Sequence, residues 1–174
     1  KNAFTLMIAN VRMANKKHHK FKELVLKANP DMLIMNEPDE SWHESVQKEF
    51  DSVFPYSIKK PLDNTYGMLL WSKNKLHNSE IRYLVEDGIP SFSTTVELAS
   101  GAKFCLFTVH PQPPRFMLNT EPREAELLIV AKQAKKAPYP AVVAGDLNDV
   151  AWSKTTKLFK QISGLIDPRV GRGF

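Results

Sequence analysis

Seven short apolar stretches with the character of β-strands are spread along the chain. Several are apolar at successive positions, as is typical of strands that are covered on both faces. Polar segments with turn-forming residues separate them. The predicted strands are 4–9, 32–35, 68–71, 81–85, 92–98, 104–109 and 141–144.

Four other segments carry apolar residues at helical spacing, with lysines or acids on the opposite side. The longest of them has acidic residues in its first turn and lysines in its last, which favours a helix through its dipole. We expect Thr120 and Ser153 to cap the last two helices. The predicted helices are 20–28, 42–50, 121–135 and 154–162.

The order of these elements predicts the fold class. It runs β-α-β-α, then several strands, then α-β-α, which favours mixed sheets packed between helices. A chain of 174 residues with 43% hydrophobic content fits one domain with a substantial core. The one cysteine, Cys105, lies in an apolar run, so we expect it to be buried, and no intrachain disulfide is possible.

The charge balance indicates which partners are favourable. A formal net charge of +5 favours anionic partners such as nucleic acid, phosphorylated small molecules or lipid headgroups. No apolar run approaches the roughly 20 residues of a membrane span.

Polar side chains recur where the predicted strands end. Asn10 ends the first strand, Asn36-Glu37 the second and His110 the sixth. Each one alone is an ordinary turn-forming residue at a strand end. Their recurrence at strand ends is what indicates a site.

The seventh strand ends most abruptly, in the sequence V-V-A-G-D-L-N-D-V over residues 142–150. Because strand side chains alternate between faces, Asp146 and Asn148 would point the same way if the chain stays extended. They would then converge on one point at the carboxyl end of the strand.

Together these residues supply carboxylate and amide oxygens with one imidazole. Such a set suits Mg²⁺ or Mn²⁺ better than zinc, which prefers more histidine or cysteine. The remaining histidines do not offer a zinc site, and we expect them at the solvated surface. They are His18, His19, His43 and His77.

Five stretches together resemble one family. They read T-L-M-I-A-N-V, P-D-M-L-I-M-N-E, Y-G-M-L-L-W-S-K, F-T-V-H-P and V-V-A-G-D-L-N-D, in this order along the chain. They are similar to the endonuclease/exonuclease/phosphatase superfamily, which includes deoxyribonuclease I, abasic-site endonucleases, neutral sphingomyelinases and inositol polyphosphate 5-phosphatases. The resemblance implies an α/β fold: a four-layer α-β-β-α sandwich with two mixed sheets face to face and helices outside.

The resemblance also implies a role for each polar strand end. Glu37 would bind the metal with Asn10 beside it. Asp146 would orient or deprotonate the attacking water, Asn148 would contact the scissile phosphate, and His110 would donate a hydrogen bond or a proton there. These roles supply what phosphodiester hydrolysis requires: neutralised phosphate oxygens, an activated water and help for the leaving oxygen.

Further residues are candidates for the phosphate-binding surface, although ion pairs with neighbours are the alternative for each. They are Arg115, Asp149 and Arg169. We expect Trp71 and Trp152 to pack in the protein rather than to stack on bases.

Two features depart from the family pattern. Deoxyribonuclease-like members pair the loop histidine with a glutamate, and residues 63–67 offer none, which leaves the role of His110 open. The family's closing D-H or D-Y element and its final S-D-H do not occur before residue 174. We therefore expect one domain over residues 1–174, incomplete at its C-terminus and a poor catalyst alone.

The expected function is hydrolysis of phosphodiester bonds, by a nuclease or phosphodiesterase that depends on Mg²⁺ or Mn²⁺. Three alternatives stay open: a phosphomonoesterase, a sphingomyelinase-type lipid phosphodiesterase, and an inactive module that binds nucleic acid or anionic lipid. The loop and tail sequences are most similar to a bacterial branch whose members often carry N-terminal membrane helices, so a membrane anchor outside these residues is a further expectation. Localisation and oligomeric state stay open.

Overall fold

The computed structural model of the protein describes residues 4–113 and 121–168, and eight strands and four helices lie within them. Arg115, Arg169 and the expected helix cap Thr120 lie outside the described residues. The elements are β1 (Leu6–Asn10), α1 (His18–Ala28), β2 (Met32–Asn36), α2 (Glu40–Val53), β3 (Tyr56–Lys60), β4 (Met68–Ser72), β5 (Lys75–Arg82), β6 (Ser91–Glu97), β7 (Lys103–Val109), α3 (Glu121–Lys135), β8 (Ala141–Gly145) and α4 (Lys154–Ser163).

The strands form two mixed sheets of four strands each. The first has the order β1-β2-β4-β3, and the second has the order β5-β6-β7-β8. In each sheet one pair is parallel, β1 with β2 and β7 with β8, and the other pairs are antiparallel. Both parallel pairs therefore end in an edge strand, β1 in one sheet and β8 in the other.

Three clusters of buried side chains separate the layers. The first packs α1 and α2 against the outer face of the β1–β4 sheet, around Trp42, Phe50 and Trp71. The second joins the inner faces of the two sheets, and the third packs α3 and α4 on the outer face of the β5–β8 sheet. The fold is the predicted four-layer α-β-β-α sandwich.

Strand β2 shows why its sequence is apolar throughout. Leu33 and Met35 belong to the helix-facing cluster, whereas Met32 and Ile34 belong to the cluster between the sheets. All five residues of β2 are buried, because a central strand of a covered sheet has no solvent-facing side. Cys105 on β7 is also buried, as predicted.

The two strands that the pattern mispredicts both lie at sheet edges. Strand β3 was not predicted, because Ile58 is its only fully buried residue. Strand β5 was predicted at 81–85 but spans Lys75–Arg82, with a register shift between His77 and Glu80. Most of the residues in these two strands are polar, so their hydrophobic pattern is weak.

The four helices lie where they were predicted, with ends that differ by a few residues. Ser153 caps α4 as expected, since its Oγ accepts a hydrogen bond from the amide of Thr156 at 2.8 Å. Among the described residues, no helix is both long and apolar enough to cross a membrane.

Three of the four histidines expected at the solvated surface, His18, His43 and His77, are partly buried instead. The ring of His18 packs on Trp42 with ring centroids 4.2 Å apart, and burial lowers the pKa of this imidazole. His43 Nδ1 lies 2.9 Å from Glu40 Oε1 on the neighbouring turn of α2. Both rings serve the packing of α1 and α2.

Candidate active site

The first two polar strand ends meet at one edge of the β1–β4 sheet. Strands β1 and β2 are parallel, and Asn10 is the register partner of Asn36. The carboxyl ends of parallel neighbours necessarily lie side by side, so Glu37, the next residue, comes close to Asn10. The chain is held there because the amide of Val11 donates to the carbonyl of Asn36 at 3.0 Å.

The side-chain amide of Asn10 links the two sheets. Its Nδ2 donates to Glu37 Oε1 at 2.7 Å and lies 3.3 Å from Asp146 Oδ2 at the end of β8. Its Oδ1 accepts the backbone amide of Arg12 at 3.1 Å, which fixes the orientation of the group. One amide therefore holds two carboxylates from different sheets around a common point.

Glu37 has a backbone conformation that few glutamates adopt. Its φ is +63°, in the left-handed region, and its amide donates to the carbonyl of Gly67 at 2.9 Å. A Cβ on Gly67 would lie 2.0 Å from the carbonyl oxygen of Pro38, so no other residue fits there. A close backbone contact thus turns the Glu37 side chain toward Asn10.

The segment that follows β8 is a turn and not the extended path expected from alternation. Asn148 has a φ of +48°, and its backbone amide donates to Asp146 Oδ1 at 3.1 Å. Its side-chain Nδ2 donates to the carbonyl of Pro111 at 2.8 Å. Asp146 and Asn148 still line the same cleft, but through a turn closed by hydrogen bonds.

A glycine brings the ends of β7 and β8 together. Gly145 is the register partner of Val109 and has a φ of +133°. A Cβ at this position would lie 2.1 Å from the carbonyl oxygen of Val109. This approach places Asp146 beside the strand end that carries His110.

His110 is almost completely buried and lacks a partner at one ring nitrogen. Its Nδ1 has no hydrogen-bond partner among the described residues, and its ring lies 5.6 Å from the ring of Tyr66. Burial lowers its pKa, while the negative charges of Asp146 and Glu37 act in the opposite direction. The imidazole is therefore neutral at neutral pH and within electrostatic range of both carboxylates.

The donor set fits a hard divalent cation. Two carboxylates converge on Asn10, and neighbouring Asn36 is fully buried with neither amide atom hydrogen-bonded to another described residue. Buried polar atoms without partners are costly, and a cation with its water shell would satisfy them. Within the described residues, no group of three or more His, Cys, Asp or Glu side chains is placed to hold a metal.

The carboxylate of Asp149 is not directed toward Asn10, Glu37 and Asp146. Its Oδ1 accepts the amide of Val150 at 2.8 Å, and its Oδ2 accepts the hydroxyls of Ser153 at 2.6 Å and Thr156 at 3.2 Å. These bonds hold the start of α4. The structure brings together Asn10, Glu37, His110, Asp146 and Asn148, and leaves Asp149 beside them with a structural role.

One charged residue next to the site was not predicted from the sequence. Arg123 on α3 is buried, and its Nη1 donates to the carbonyl of Asn148 at 3.0 Å. The sequence did hold a signal, because Arg123 falls on the same helical stripe as the buried Leu127, Val130 and Ala134. A charged residue on a core-facing stripe indicates a specific partner.

One tryptophan departs from the expectation that both would pack. Trp71 is buried and donates from Nε1 to Asp51, but Trp152 is 71% exposed in the turn before α4. The hydroxyl and amide bonds to Asp149 hold this turn, so the indole is presented to solvent just beyond Asn148.

An open cleft of about 760 Å³ runs from the site along the two edge strands. Asn10, Asp146 and Asn148 line its polar end. The rest of its lining is mostly apolar and includes Ile8 of β1 and Val142 of β8. Glu37 and His110 are not part of the lining, so the cleft reaches the site from the Asn10 and Asp146 side.

Comparison with known proteins places these features in context. The model of the Endonuclease/Exonuclease/phosphatase family matches residues 7–174. No curated protein matches the sequence significantly.

Solved structures share the fold at low sequence identity. D. rerio TDP2 complexed with single strand DNA product matches with a TM-score of 0.75 and 18% identity, covering 91% of this chain and 65% of that one. A beta hairpin deletion mutant of beta toxin from Staphylococcus aureus gives 0.74 and 16%, covering 96% and 75%. SmcL gives 0.73 and 14%, covering 96% and 71%. The chain thus spans about two thirds of the length of the TDP2 structure.

Proposed function

The chain belongs to the Endonuclease/Exonuclease/phosphatase family, and from this membership we propose that the protein hydrolyses phosphodiester bonds with the help of Mg²⁺ or Mn²⁺. The observation that carries the proposal is the convergence of Glu37 and Asp146 on the side-chain amide of Asn10. Two carboxylates from different sheets are drawn together beside a buried neutral imidazole, His110.

Glu37 is the group that would hold the cation, with Asn10 beside it and Asp146 across the same amide. Glu37 and Asp146 contribute negative oxygens, and Asn10 fixes their positions through its N–H groups. When bound, a divalent cation would neutralise the charge of the phosphate oxygens and lower the pKa of water. One carboxylate is enough for Mg²⁺ in such a site, because this ion keeps much of its hydration shell and also binds the phosphate of a substrate.

The other roles fall to side chains around this pair. Asp146 would orient the attacking water and accept its proton, since a carboxylate is the general base nearest the cleft. Asn148 uses one N–H on Pro111 and keeps a second N–H for a phosphate oxygen. His110, neutral at neutral pH, would donate a hydrogen bond to a phosphate oxygen or the leaving oxygen.

Nucleic acid is the substrate class that we favour. The chain carries a net charge of +5, which attracts a polyanion. A structural relative, D. rerio TDP2, is complexed with a single strand DNA product. The exposed indole of Trp152, close in sequence to Asn148, would offer a face for a base next to the scissile phosphate.

Turnover of a substrate panel by the full-length protein, with and without Mn²⁺ or Mg²⁺, tests the proposal. The panel contains bis-p-nitrophenyl phosphate, single-stranded DNA, plasmid DNA, RNA, sphingomyelin and inositol polyphosphates. We expect cation-dependent hydrolysis of the nucleic acids. Hydrolysis confined to sphingomyelin or to inositol polyphosphates would replace nucleic acid by a lipid or a monoester substrate.

The variant Asp146→Asn tests whether Asp146 is the general base. We expect kcat to fall by about 10²- to 10⁴-fold, because the variant lacks the base, while the melting temperature stays the same or rises. A stability gain is expected because Asp146 and Glu37 repel each other across Asn10. Asp87→Asn, which removes an exposed loop carboxylate, is the matched control and should keep full activity.

Tight binding of single-stranded DNA without turnover of any substrate would support the inactive binding module instead.

A further inference from the structure

A buried arginine on α3 donates to the backbone that carries two of the site residues. The side chain of Arg123 is 10% exposed, and its Nη1 lies 3.0 Å from the carbonyl oxygen of Asn148. Every other described member of the site lies at the end of a strand. Arg123 comes from a helix of the outer layer, so it connects that layer to the site.

The hydrogen bond from Arg123 is accepted by Asn148, which itself donates two further hydrogen bonds within the site. Asn148 donates from its side chain to the carbonyl of Pro111 and from its backbone to Asp146. Asp146 in turn lies 3.3 Å from the amide of Asn10, which holds Glu37. A chain of hydrogen bonds therefore runs from Arg123 through Asn148 to both carboxylates.

Asn148 needs such support because its backbone is in the left-handed region, with a φ of +48°. Asparagine adopts this conformation more readily than other non-glycine residues, but surrounding interactions still decide whether the turn keeps it. A guanidinium is a charged donor, and its hydrogen bonds to a carbonyl are stronger than those of a neutral donor. The bond from Arg123 is thus well suited to hold the turn.

Packing alone does not account for an arginine at this position. Its Nε is buried and has no hydrogen-bond partner among the described residues, which costs free energy that a methionine or leucine of similar volume would not cost. The neighbouring positions of the stripe, Leu127 and Val130, are apolar and buried. The guanidinium of Arg123 therefore contributes more than packing, through its hydrogen bond to Asn148.

We propose that Arg123 is a positioning residue, which acts on the reaction through Asn148 by holding the turn of Asp146 and Asn148 in its productive conformation. This inference rests on the proposed function for its kinetic part only. Its structural part, that Arg123 orders residues 146–150, stands without it.

The test compares Arg123→Met with Arg82→Met in the full-length protein. Arg82 is a suitable control because it is a second arginine whose Nε is buried without a hydrogen-bond partner among the described residues. Its Nη2 donates to Gln133 on α3 and not to the site turn. Both variants replace a largely buried guanidinium. Only Arg123→Met removes a hydrogen bond to the turn at Asn148, whereas Arg82→Met removes one to Gln133 on α3. Arg123→Lys keeps a charged donor and serves as the conservative variant.

The first readout is amide hydrogen exchange, which needs no substrate. We expect residues 146–150 to exchange faster in Arg123→Met than in the wild type, and to be unchanged in Arg82→Met. Equal exchange of this segment in the wild type and Arg123→Met would overturn the inference, whether or not the protein is active.

The second readout is turnover of the substrate identified by the panel. We expect kcat of Arg123→Met to fall by about 10- to 100-fold with little change in KM, as is typical when an outer hydrogen-bond partner of a site is removed. Arg123→Lys should recover part of the loss, and Arg82→Met should stay near the wild type. A loss no greater than that of Arg82→Met would show that Arg123 is only structural.

An inactive wild type would contradict the proposed function and leave the exchange result to decide on Arg123.

Discussion

At the scale of single residues, neutral amides and not cations hold the carboxylates of the site. Asn10 donates to Glu37 and lies within reach of Asp146, and Asn148 donates its backbone amide to Asp146. An amide donor positions a carboxylate without neutralising its charge. Both carboxylates therefore keep their charge for a ligand that enters from solvent.

The Glu37 side chain tests the cation assignment directly. We expect Glu37→Gln to weaken Mn²⁺ binding at least tenfold, because an amide oxygen lacks the charge of the carboxylate. Titration calorimetry on the wild type and the variant measures the change. Glu40→Gln, which removes an exposed carboxylate three residues away in sequence, should bind Mn²⁺ like the wild type. Unchanged affinity in Glu37→Gln would exclude Glu37 as a ligand.

At the scale of elements, the junction of β7 and β8 decides where Asp146 lies. We expect Gly145→Ala to destabilise the protein by roughly 3 kcal/mol or more, since its Cβ would lie 2.1 Å from the carbonyl oxygen of Val109. The pair of strands must separate to admit it, which also moves Asp146. Chemical denaturation gives the free energy of unfolding.

Gly101→Ala is the control for the left-handed backbone alone. Gly101 has a φ of +82°, but an added Cβ there meets nothing within 4 Å. We expect a loss of about 1–2 kcal/mol, the cost of this conformation for an L-residue. Equal losses in the two variants would mean that the close approach at Gly145 is unimportant.

Helix α3 carries a second buried charged residue, Glu126. Burial raises its pKa to about 7, and the charge of Glu86, which accepts a hydrogen bond from Gln112, adds to the effect. The folded state thus holds a proton that the unfolded state releases above its ordinary pKa of 4.5. The contribution of Glu126 to stability is therefore greatest below that value and falls as the pH rises toward 7.

Glu126→Gln should remove this pH dependence. At about pH 8 we expect the variant to have a higher melting temperature than the wild type, and its free energy of unfolding to be larger by at most roughly 3 kcal/mol. At about pH 5 the two proteins should differ less. Thermal unfolding at both values measures it. Glu44→Gln, at an exposed position on α2, should follow the wild type. A parallel pH profile for Glu126→Gln would show that this carboxyl is not the cause.

At the scale of the whole molecule, both sheets present an edge strand to the same cleft. Ile8 of β1 and Val142 of β8 are 44% and 38% exposed there. Unpaired edges with apolar side chains favour pairing with another chain.

We expect residues 1–174 expressed alone to self-associate as their concentration rises. Ile8→Lys with Val142→Lys should shift the protein toward monomer, because charges oppose edge pairing. Sedimentation velocity measures the distribution. Leu24→Lys, on an exposed position of α1, should leave association unchanged. A monomer at every concentration would contradict the prediction.

The elements of this fold could be predicted to different degrees, for a physical reason. Buried strands such as β2 and β4 have continuous apolar runs, so their sequences predict them directly. Strands β3 and β5 consist mostly of polar residues, so their sequences carry only a weak apolar pattern. Helix α4 was predicted with its cap, because Ser153 acts on its own neighbours in sequence.

By itself the sequence determined the order of the helices and of every strand except β3, the family, and the polar residue at each predicted site strand end, because these depend on periodicity and local motifs. Only the tertiary structure decided that Asn10 joins the carboxylates of Glu37 and Asp146, that Asn148 turns back to Pro111, and that Arg123 reaches the site. These contacts join residues far apart in the chain. Their geometry depends on how two sheets and a helix pack together, which no local pattern encodes.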